Sequence, residues 1–303
     1  MKRILITGAG GAGSIEIWNL LRNKYKLYFC DQDISLIHTS IPNNRKFQVP
    51  SAKNSLYIKS INSIIIKLKI NLLVPTVDEE IRVLFTKKNN IKNIFCPPKK
   101  ISLVFLDKFK TSVFLKNNKF NDLNSLVVKR KNFFPKNKNL IVKPRFGRGS
   151  VKIHRISSYS QFKSYLNLYN LKSADVIVQK FIKGREYTIF VDTDENGKLK
   201  SIVIVKVLRK KGVTLHGVTE NNKKIINFVK KFNTKFKSQN SYNLQLIIKN
   251  KKIYVIEINP RISTTFIITL KLGYDPFIKL NRKSIFIPKK KIILKRFWNN
   301  LFL

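Results

Sequence analysis

The first hundred residues alternate short apolar runs with stretches of helical spacing. Ile4–Thr7 predicts a strand, Ser14–Asn23 a helix and Lys26–Cys30 a second strand. Leu56–Leu68 predicts a helix and Asn71–Pro75 a buried strand. Asp78–Phe85 predicts a helix whose first turn carries Asp78, Glu79 and Glu80, the charge that suits a helix N-terminus. Ile94–Cys96 predicts a last short strand, stopped by Pro97-Pro98. This alternation predicts an α/β unit with a parallel sheet covered by helices on both faces.

From Asp107 the pattern changes to strand pairs. Asn139–Lys143 and Val151–Ile156 flank a glycine loop. Val176–Gln179, Glu186–Asp192 and Leu199–Leu208 follow, with Asp194-Glu195-Asn196-Gly197 as a hairpin turn. A helix over Lys223–Phe236 precedes the strands Asn243–Ile248 and Ile253–Ile258, joined by Lys249–Lys252. This second region predicts an α+β unit of antiparallel sheets. The last ~20 residues hold the run Lys289-Lys290-Lys291, and no chemistry is legible in them.

One strand stands out. Val255-Ile256-Glu257-Ile258-Asn259-Pro260-Arg261 sets a carboxylate, an amide and a guanidinium at alternate positions of an apolar run. Side chains alternate along a strand, so Glu257 and Asn259 share a face while Ile256 and Ile258 pack on the other. Hard oxygens beside a cation are what a Mg²⁺-phosphate site needs, whereas a solvated polar face would need no such set. Gln245 lies on the preceding strand of the same hairpin, and pairing would bring its carbonyl oxygen near Glu257 and Asn259 as a third ligand.

Two glycine loops add to this. Gly8-Ala9-Gly10-Gly11-Ala12-Gly13 follows a strand and opens a helix, with Asp31 and Asp33 near the end of the next strand. That pattern suits a dinucleotide site, and it equally suits a tight turn that lets another ligand or domain approach the backbone. Lys143-Pro144-Arg145-Phe146-Gly147-Arg148-Gly149-Ser150 puts a lysine at a strand end before a loop whose N–H groups can wrap phosphates. In Gln179–Thr188 a connector between strands offers backbone groups to a base edge, and Glu186 to ribose hydroxyls.

Composition limits the alternatives. The chain has 303 residues, 43% of them hydrophobic, enough for two or three lobes with their own cores. Its apolar runs fall short of the roughly 18–20 residues of a membrane span. The opening Lys2-Arg3-Ile4-Leu5 does not read as a signal peptide. Cys30 and Cys96 read as buried thiols of a reducing cytoplasm, so a cytoplasmic protein without a membrane partner is expected. The formal charge of +45 is spread along the chain with abundant Asn and Ile, as an AT-rich genome would favour. A polyanion partner is the functional alternative, but aromatics do not interleave with the basic residues as in RNA-binding motifs, so no specific nucleic-acid partner is expected. His38, His154 and His216 are scattered and read as structural.

Taken in order, Asp107-Lys108, the Lys143 loop, Gln179 to Glu186, Gln245 and Glu257–Arg261 resemble the ATP-grasp superfamily. The likeness is greatest to short, stand-alone relatives of the carbamoyl-phosphate synthase large subunit. It runs from the opening glycines to about Leu280. The resemblance implies a Rossmann-like pre-ATP-grasp domain (1–98), then a two-lobed ATP-grasp fold (99–280, small lobe about 125–178) and a basic extension (281–303). It implies that Lys108 and Lys143 contact nucleotide phosphates and that Gly147, Gly149 and Ser150 belong to the phosphate lid. Gln179, Lys180 and Ile182 would line the adenine, largely through backbone, and Glu186 would hold the ribose. Glu257, Asn259 and Gln245 would bind Mg²⁺, with Mn²⁺ as a substitute. Arg261 would stabilise the phosphoryl group in flight, assisted by Arg209 as an anion clamp. Two departures count against carbamoyl-phosphate chemistry: there is one ATP-grasp unit, and Ile262-Ser263-Thr264 lacks the second arginine expected there.

The implied activity is an ADP-forming ligase that joins a small-molecule carboxylate to an amine, in a protein that could act as a homodimer. The competing readings are an NAD-dependent oxidoreductase built on Gly8–Gly13 and a basic nucleic-acid-binding protein.

Overall fold

The structure, a computed structural model, describes residues 1–136, 139–278 and 284–297. Its first part is a four-stranded parallel sheet in the order β3-β2-β1-β4. The strands are β1 (Arg3–Thr7), β2 (Lys26–Asp31), β3 (Lys46–Gln48) and β4 (Leu72–Val74), with α1 (Ser14–Leu21) after β1, α2 (Tyr57–Leu68) before β4 and α3 (Asp78–Thr86) after it. Alternation decides which helix each strand residue meets. Ile4 and Ile6 pack in one cluster with Ile17 and Leu21 of α1, while Leu5 packs in another with Tyr57, Ile61 and Leu84 from α2 and α3. Ile94 makes only an isolated bridge to Leu73, so the strand expected at Ile94–Cys96 is not a full one.

Two helices then follow, α4 (Lys99–Phe105) and α5 (Lys108–Asn117), in a stretch to which the sequence pattern assigned no element. Asp107 caps α5 by accepting from the N–H groups of Phe109 and Lys110. A three-stranded antiparallel sheet in the order β6-β5-β7 comes next: β5 (Leu140–Pro144), β6 (His154–Ile156) and β7 (Val176–Lys180). It is covered by α6 (Tyr159–Leu168), which the strand reading also passed over. The signal was there, since Ser158 caps it by accepting from Gln161 N–H, and Ser-x-x-Gln is a helix-start spacing.

The largest sheet is antiparallel, in the order β12-β11-β8-β9-β10-β13. Its members are β8 (Arg185–Thr193), β9 (Leu199–Lys211), β10 (Val213–Thr219), β11 (Tyr242–Lys249), β12 (Lys252–Asn259) and β13 (Ile293–Lys295); α7 (Lys223–Phe236) precedes β11 and α8 (Phe266–Lys271) follows β12. One face, with Tyr187, Ile189, Ile202 and Ile204, packs on the phenylalanine stripe Phe228, Phe232 and Phe236 of α7 and on Phe105 and Phe114. The other face sends Phe190, Val203 and Val205 into the cluster that holds β1, α1 and α8. The parallel and antiparallel sheets therefore share a core, which fixes the groove between them. Within the stretch read as a basic extension, Leu294 pairs with Gly217, so this stretch adds an edge strand to the sheet. Among the described residues, no helix is long and apolar enough to cross a membrane.

Candidate functional site

A cleft of about 620 Å³ opens between the sheets. Glu186, Thr188, Gln245, Glu257, Asn259 and Arg261 line one side; Gly8, Gly10, Gly11, Gly13, Asp31, Glu79 and Glu80 line the other. The opening glycine turn and the Glu257–Arg261 strand thus meet at one place, although about 250 residues separate their extremes.

The Glu257 strand faces the cleft for a reason that simple alternation misses. Gln245 pairs with Glu257 and Leu246 with Val255, which leaves Ile256 as the extra residue of a β-bulge. Ile253 and Val255 point into the core below the bulge, and Ile258 points there above it. Without the extra residue Glu257 would share the parity of Ile253 and Val255 and face the phenylalanine core. The bulge re-aims Glu257 and Asn259 to the cleft side. The expectation that Ile256 and Ile258 share a buried face is corrected accordingly: Ile258 is 1% exposed, whereas Ile256 is half-buried outside the core cluster.

A second bulge corrects Arg209. Val207 and Arg209 pair with the successive residues Gly217 and His216, which makes Leu208 the extra residue on β9. The parity shifts, so Arg209 is exposed and Lys210 faces the cleft. Lys210 Nζ donates to Glu186 Oε1 at 2.5 Å and to Gln245 Oε1 at 3.3 Å. Because Thr188 pairs with Gln245 and Gln245 with Glu257, three strands present one polar row. Thr188 Oγ1 donates to Asn243 Oδ1 at 2.9 Å, on the same face of the sheet as that row. Lys210, Thr188 and Asn243 were not singled out from the sequence.

Two more lysines converge here. Lys108 occupies the first position of α5, where a cation opposes the helix dipole. Its ammonium is instead held 3.3 Å from Glu257 Oε1 and donates to the Gly147 carbonyl at 2.6 Å. Lys143, on β5, is 3% exposed. Burial pulls its ammonium down to about 8; Glu257 partly opposes this, and the charges of Lys108 and Lys210 add to it. The Asn259 side chain, 4% exposed and facing the cleft, has no hydrogen-bond partner among the described residues.

The Gly147–Ser150 loop is held at its base. Arg145 makes a two-pronged pair with Asp107, both contacts at 2.7 Å, and Arg145 O accepts from Lys108 N–H. Gly147 has φ +107°, a backbone state that other residues avoid, and a Cβ there would meet nothing within 4 Å. Conformation, not space, demands glycine at this position. Gly149 and Arg148 reach the cleft wall, whereas Gly147 and Ser150 are set back from it.

Gln179, Lys180 and Ile182 are not among the residues lining the cleft. Gln179 is buried on β7, with its Oε1 accepting from Ser125 Oγ at 3.2 Å; Lys180 is exposed and Ile182 is 6% exposed. Gln179 and Lys180 end β7, and Ile182 lies on the connector that leads from it to Glu186.

Across the cleft, the Gly8–Gly13 turn is built for close approach. A Cβ on Gly8 would meet Val77 Cγ2 at 2.4 Å. Asp31 Oδ2 accepts from Gly10 N–H at 2.8 Å and its Oδ1 from Asp33 N–H at 3.1 Å. Asp31 thus braces the glycine turn through Oδ2 and the start of the following segment through Oδ1. Arg261 Nε is 2.5 Å from Asp78 Oδ1, at the start of α3. Burial of this guanidinium lowers its pKa, but Asp78, Glu257 and Glu79 outweigh that and hold it charged. Arg296, from the segment in which no chemistry was legible, donates to the carbonyls of Ala12, Thr214 and Thr264.

Comparison with known proteins agrees with this geometry. Residues 105–265, more than half of the chain, match the family model described as the ATP-grasp domain. The carbamoyl phosphate synthase large chain of Caldanaerobacter subterraneus subsp. tengcongensis is 26% identical over 154 residues, covering 46% of this chain and only 14% of that protein. Among solved structures, the L-amino acid ligase of Bacillus licheniformis superposes with a TM-score of 0.66 at 14% identity, over 88% of this chain and 68% of that one. The N5-carboxyaminoimidazole synthetase of Staphylococcus aureus complexed with ADP gives 0.67 at 16% identity, over 89% and 73%. The Campylobacter jejuni biotin carboxylase gives 0.64 at 14%, over 90% and 68%. The fold is shared with all three, and with its domain match over residues 105–265 this chain belongs to the ATP-grasp family.

Proposed function

We propose that this protein is an ATP- and Mg²⁺-dependent ligase that activates a small-molecule carboxylate as an acyl phosphate for attack by an amine. The observation that carries this reading is the row Thr188–Gln245–Glu257, with Asn259 beside it, Lys210 and Arg261 on the cleft wall, and Lys108 and Lys143 near Glu257. Alternate oxygen donors and fixed cations suit a polyphosphate, and phosphoryl transfer asks mainly for positioning and charge neutralisation.

The donor set fits magnesium. One carboxylate and two amide oxygens are too few for an all-protein cage and suit a metal shared with phosphate oxygens. Bound there by Glu257, Asn259 and Gln245, the ion would neutralise phosphate charge. Lys143 and Lys108 place positive charge at the phosphates, and the backbone of Gly147, Gly149 and Ser150 covers them. Glu186 accepts ribose hydroxyls. The end of β7 at Gln179 and Lys180, with Ile182 just beyond it, meets the adenine through its backbone, since the Gln179 side chain is turned to Ser125. Arg261 stabilises the phosphoryl group as it passes from ADP to the carboxylate oxygen. The amine then attacks the acyl carbon, the bond from that carbon to the phosphate oxygen breaks, and phosphate leaves as the amine gives up a proton.

In this reading residues 1–98 form a Rossmann-like pre-ATP-grasp domain and residues from 99 to about 280 the ATP-grasp domain, with residues 125–178 as its smaller lobe. The 280/281 boundary lies outside the described residues, and 284–297 go with the larger sheet. Measuring ADP release over a panel of carboxylates crossed with amines tests the activity. Glu257→Ala should abolish ADP formation with the fold intact, and full turnover in that variant would sink the metal assignment.

A further inference from the structure

The first turn of α3 holds more acid than a helix start requires. One exposed carboxylate complements the dipole, yet Asp78, Glu79 and Glu80 stand there in succession, and Asp78 and Glu80 are 7% and 6% exposed. A buried carboxylate is retained only with a partner that repays its lost hydration. Each of the three has a different one. Asp78 holds Arg261 at 2.5 Å, Glu79 pairs with Arg148 at 3.3 Å, and Glu80 accepts from Thr7 Oγ1 at the end of β1. Three residues after Glu79, on the same helix face, the Arg82 guanidinium lies 4.3 Å from the Phe146 ring centroid. Two contacts from one face of α3 thus meet Phe146 and Arg148, which flank Gly147 in the glycine loop.

We propose that Asp78, Glu79 and Arg82 are positioning residues for the phosphate end of the cleft. Asp78 orients the Arg261 guanidinium, while Glu79 and Arg82 hold the Gly147–Ser150 loop over the nucleotide. An element of the N-terminal sheet thereby sets both the group that meets the transferred phosphoryl and the loop that covers it. The inference rests on the ATP reading above. Stability alone is a poor reason for the Glu79–Arg148 pair, whose side chains are 42% and 48% exposed and so contribute little to folding. Attached to a loop with only a few such contacts, the same pair shifts the balance between open and closed.

The test uses the full chain with two readouts: hydrogen exchange of residues 145–152 without ligand, and the dissociation rate of Mg-ATP. Glu79→Arg sets like charge against Arg148 and is expected to speed both about two- to fivefold. Adding Arg148→Glu should return both to within about twofold of the parent. Arg82→Ala should speed both by a similar factor. Asp78→Asn keeps the shape without the charge; it should leave ATP affinity within about threefold and lower slow ADP release from ATP alone at least tenfold. If Asp78→Asn does not fold, Asp78→Glu, which keeps the charge and displaces the guanidinium, is read in the same assay. Unchanged exchange and ATP release in Glu79→Arg and Arg82→Ala would overturn the lid role. Unchanged ADP release in the Asp78 variant would overturn the Arg261 role. A parent protein that does not bind ATP sinks the nucleotide reading instead, while exchange in the ligand-free protein still decides whether α3 holds the loop.

Discussion

Gln245 and Glu257 face each other across the β11–β12 ladder on the cleft side because Ile256 is an extra residue between Glu257 and Val255. The bulge is what keeps a carboxylate out of the phenylalanine core. It makes neighbouring isoleucines unequal. Ile258→Ala should cost about 2–5 kcal/mol, as for a fully buried aliphatic residue, and Ile256→Ala under about 1 kcal/mol. Urea unfolding of the two variants checks this. Equal costs would mean that both side chains share one buried face.

Lys143 is maintained at the expense of stability. Burial holds its ammonium at about 8 against an ordinary 10.5, so the folded state resists the charged form. The sign follows: the cost is fully present below about 8 and is relieved as pH rises from there towards 10.5. Lys143→Met should stabilise the ligand-free protein at pH 7 by an amount on the order of 2–3 kcal/mol and weaken ATP binding. Urea midpoints at pH 7 and pH 10, with calorimetric titration of ATP, measure both effects; the gain should shrink at the higher pH.

Glu80 makes stability fall with rising pH. Burial pushes its carboxyl up to about 7, against partial relief from the Thr7 hydroxyl, with the Asp31 charge adding to the rise. The folded state therefore holds a proton that the unfolded chain has released. The stability this confers is complete below about 4.5 and is lost as pH rises through about 7. Asp192, pushed up to about 6 by burial, acts in the same direction. Glu80→Gln should flatten the pH profile and be the more stable form at pH 8, as read from unfolding midpoints at pH 5.5 and 8.

Arg209 and Lys210 should behave differently despite their adjacency. Lys210→Met removes the cation between Glu186 and Gln245 and is expected to weaken ATP binding at least fivefold at low salt. Arg209→Ala, on the exposed side of the bulge at Leu208, should stay within about twofold. Calorimetric titration of the two variants side by side decides the matter; a larger effect at Arg209 would reverse the assignment.

Much of this was legible from residue order. The alternation of the first hundred residues announced a parallel sheet, and the Lys223–Phe236 helix was read with the bounds it has in the structure. The facing of Gln245 and Glu257 followed from hairpin geometry. Helices α4, α5 and α6 were missed: α4 starts without a side-chain cap, and the caps of α5 and α6, Asp107 and Ser158, were not read as helix starts.

By itself the sequence determined which chemical groups the protein has and which elements carry them: a Glu-x-Asn-x-Arg strand, a lysine before a glycine loop, and acids at a helix start. Those are local properties, set by side-chain type and backbone period. Only the tertiary structure decided which side chains point into the cleft and which partner each acid takes. The two bulges, at Ile256 and Leu208, invert parity without any local sequence mark, because they arise from pairing with a neighbouring strand. The partners Arg261 and Arg148 come to Asp78 and Glu79 from 183 and 69 residues away. Periodicity does not register contacts at that separation; they follow from the core that the two sheets share.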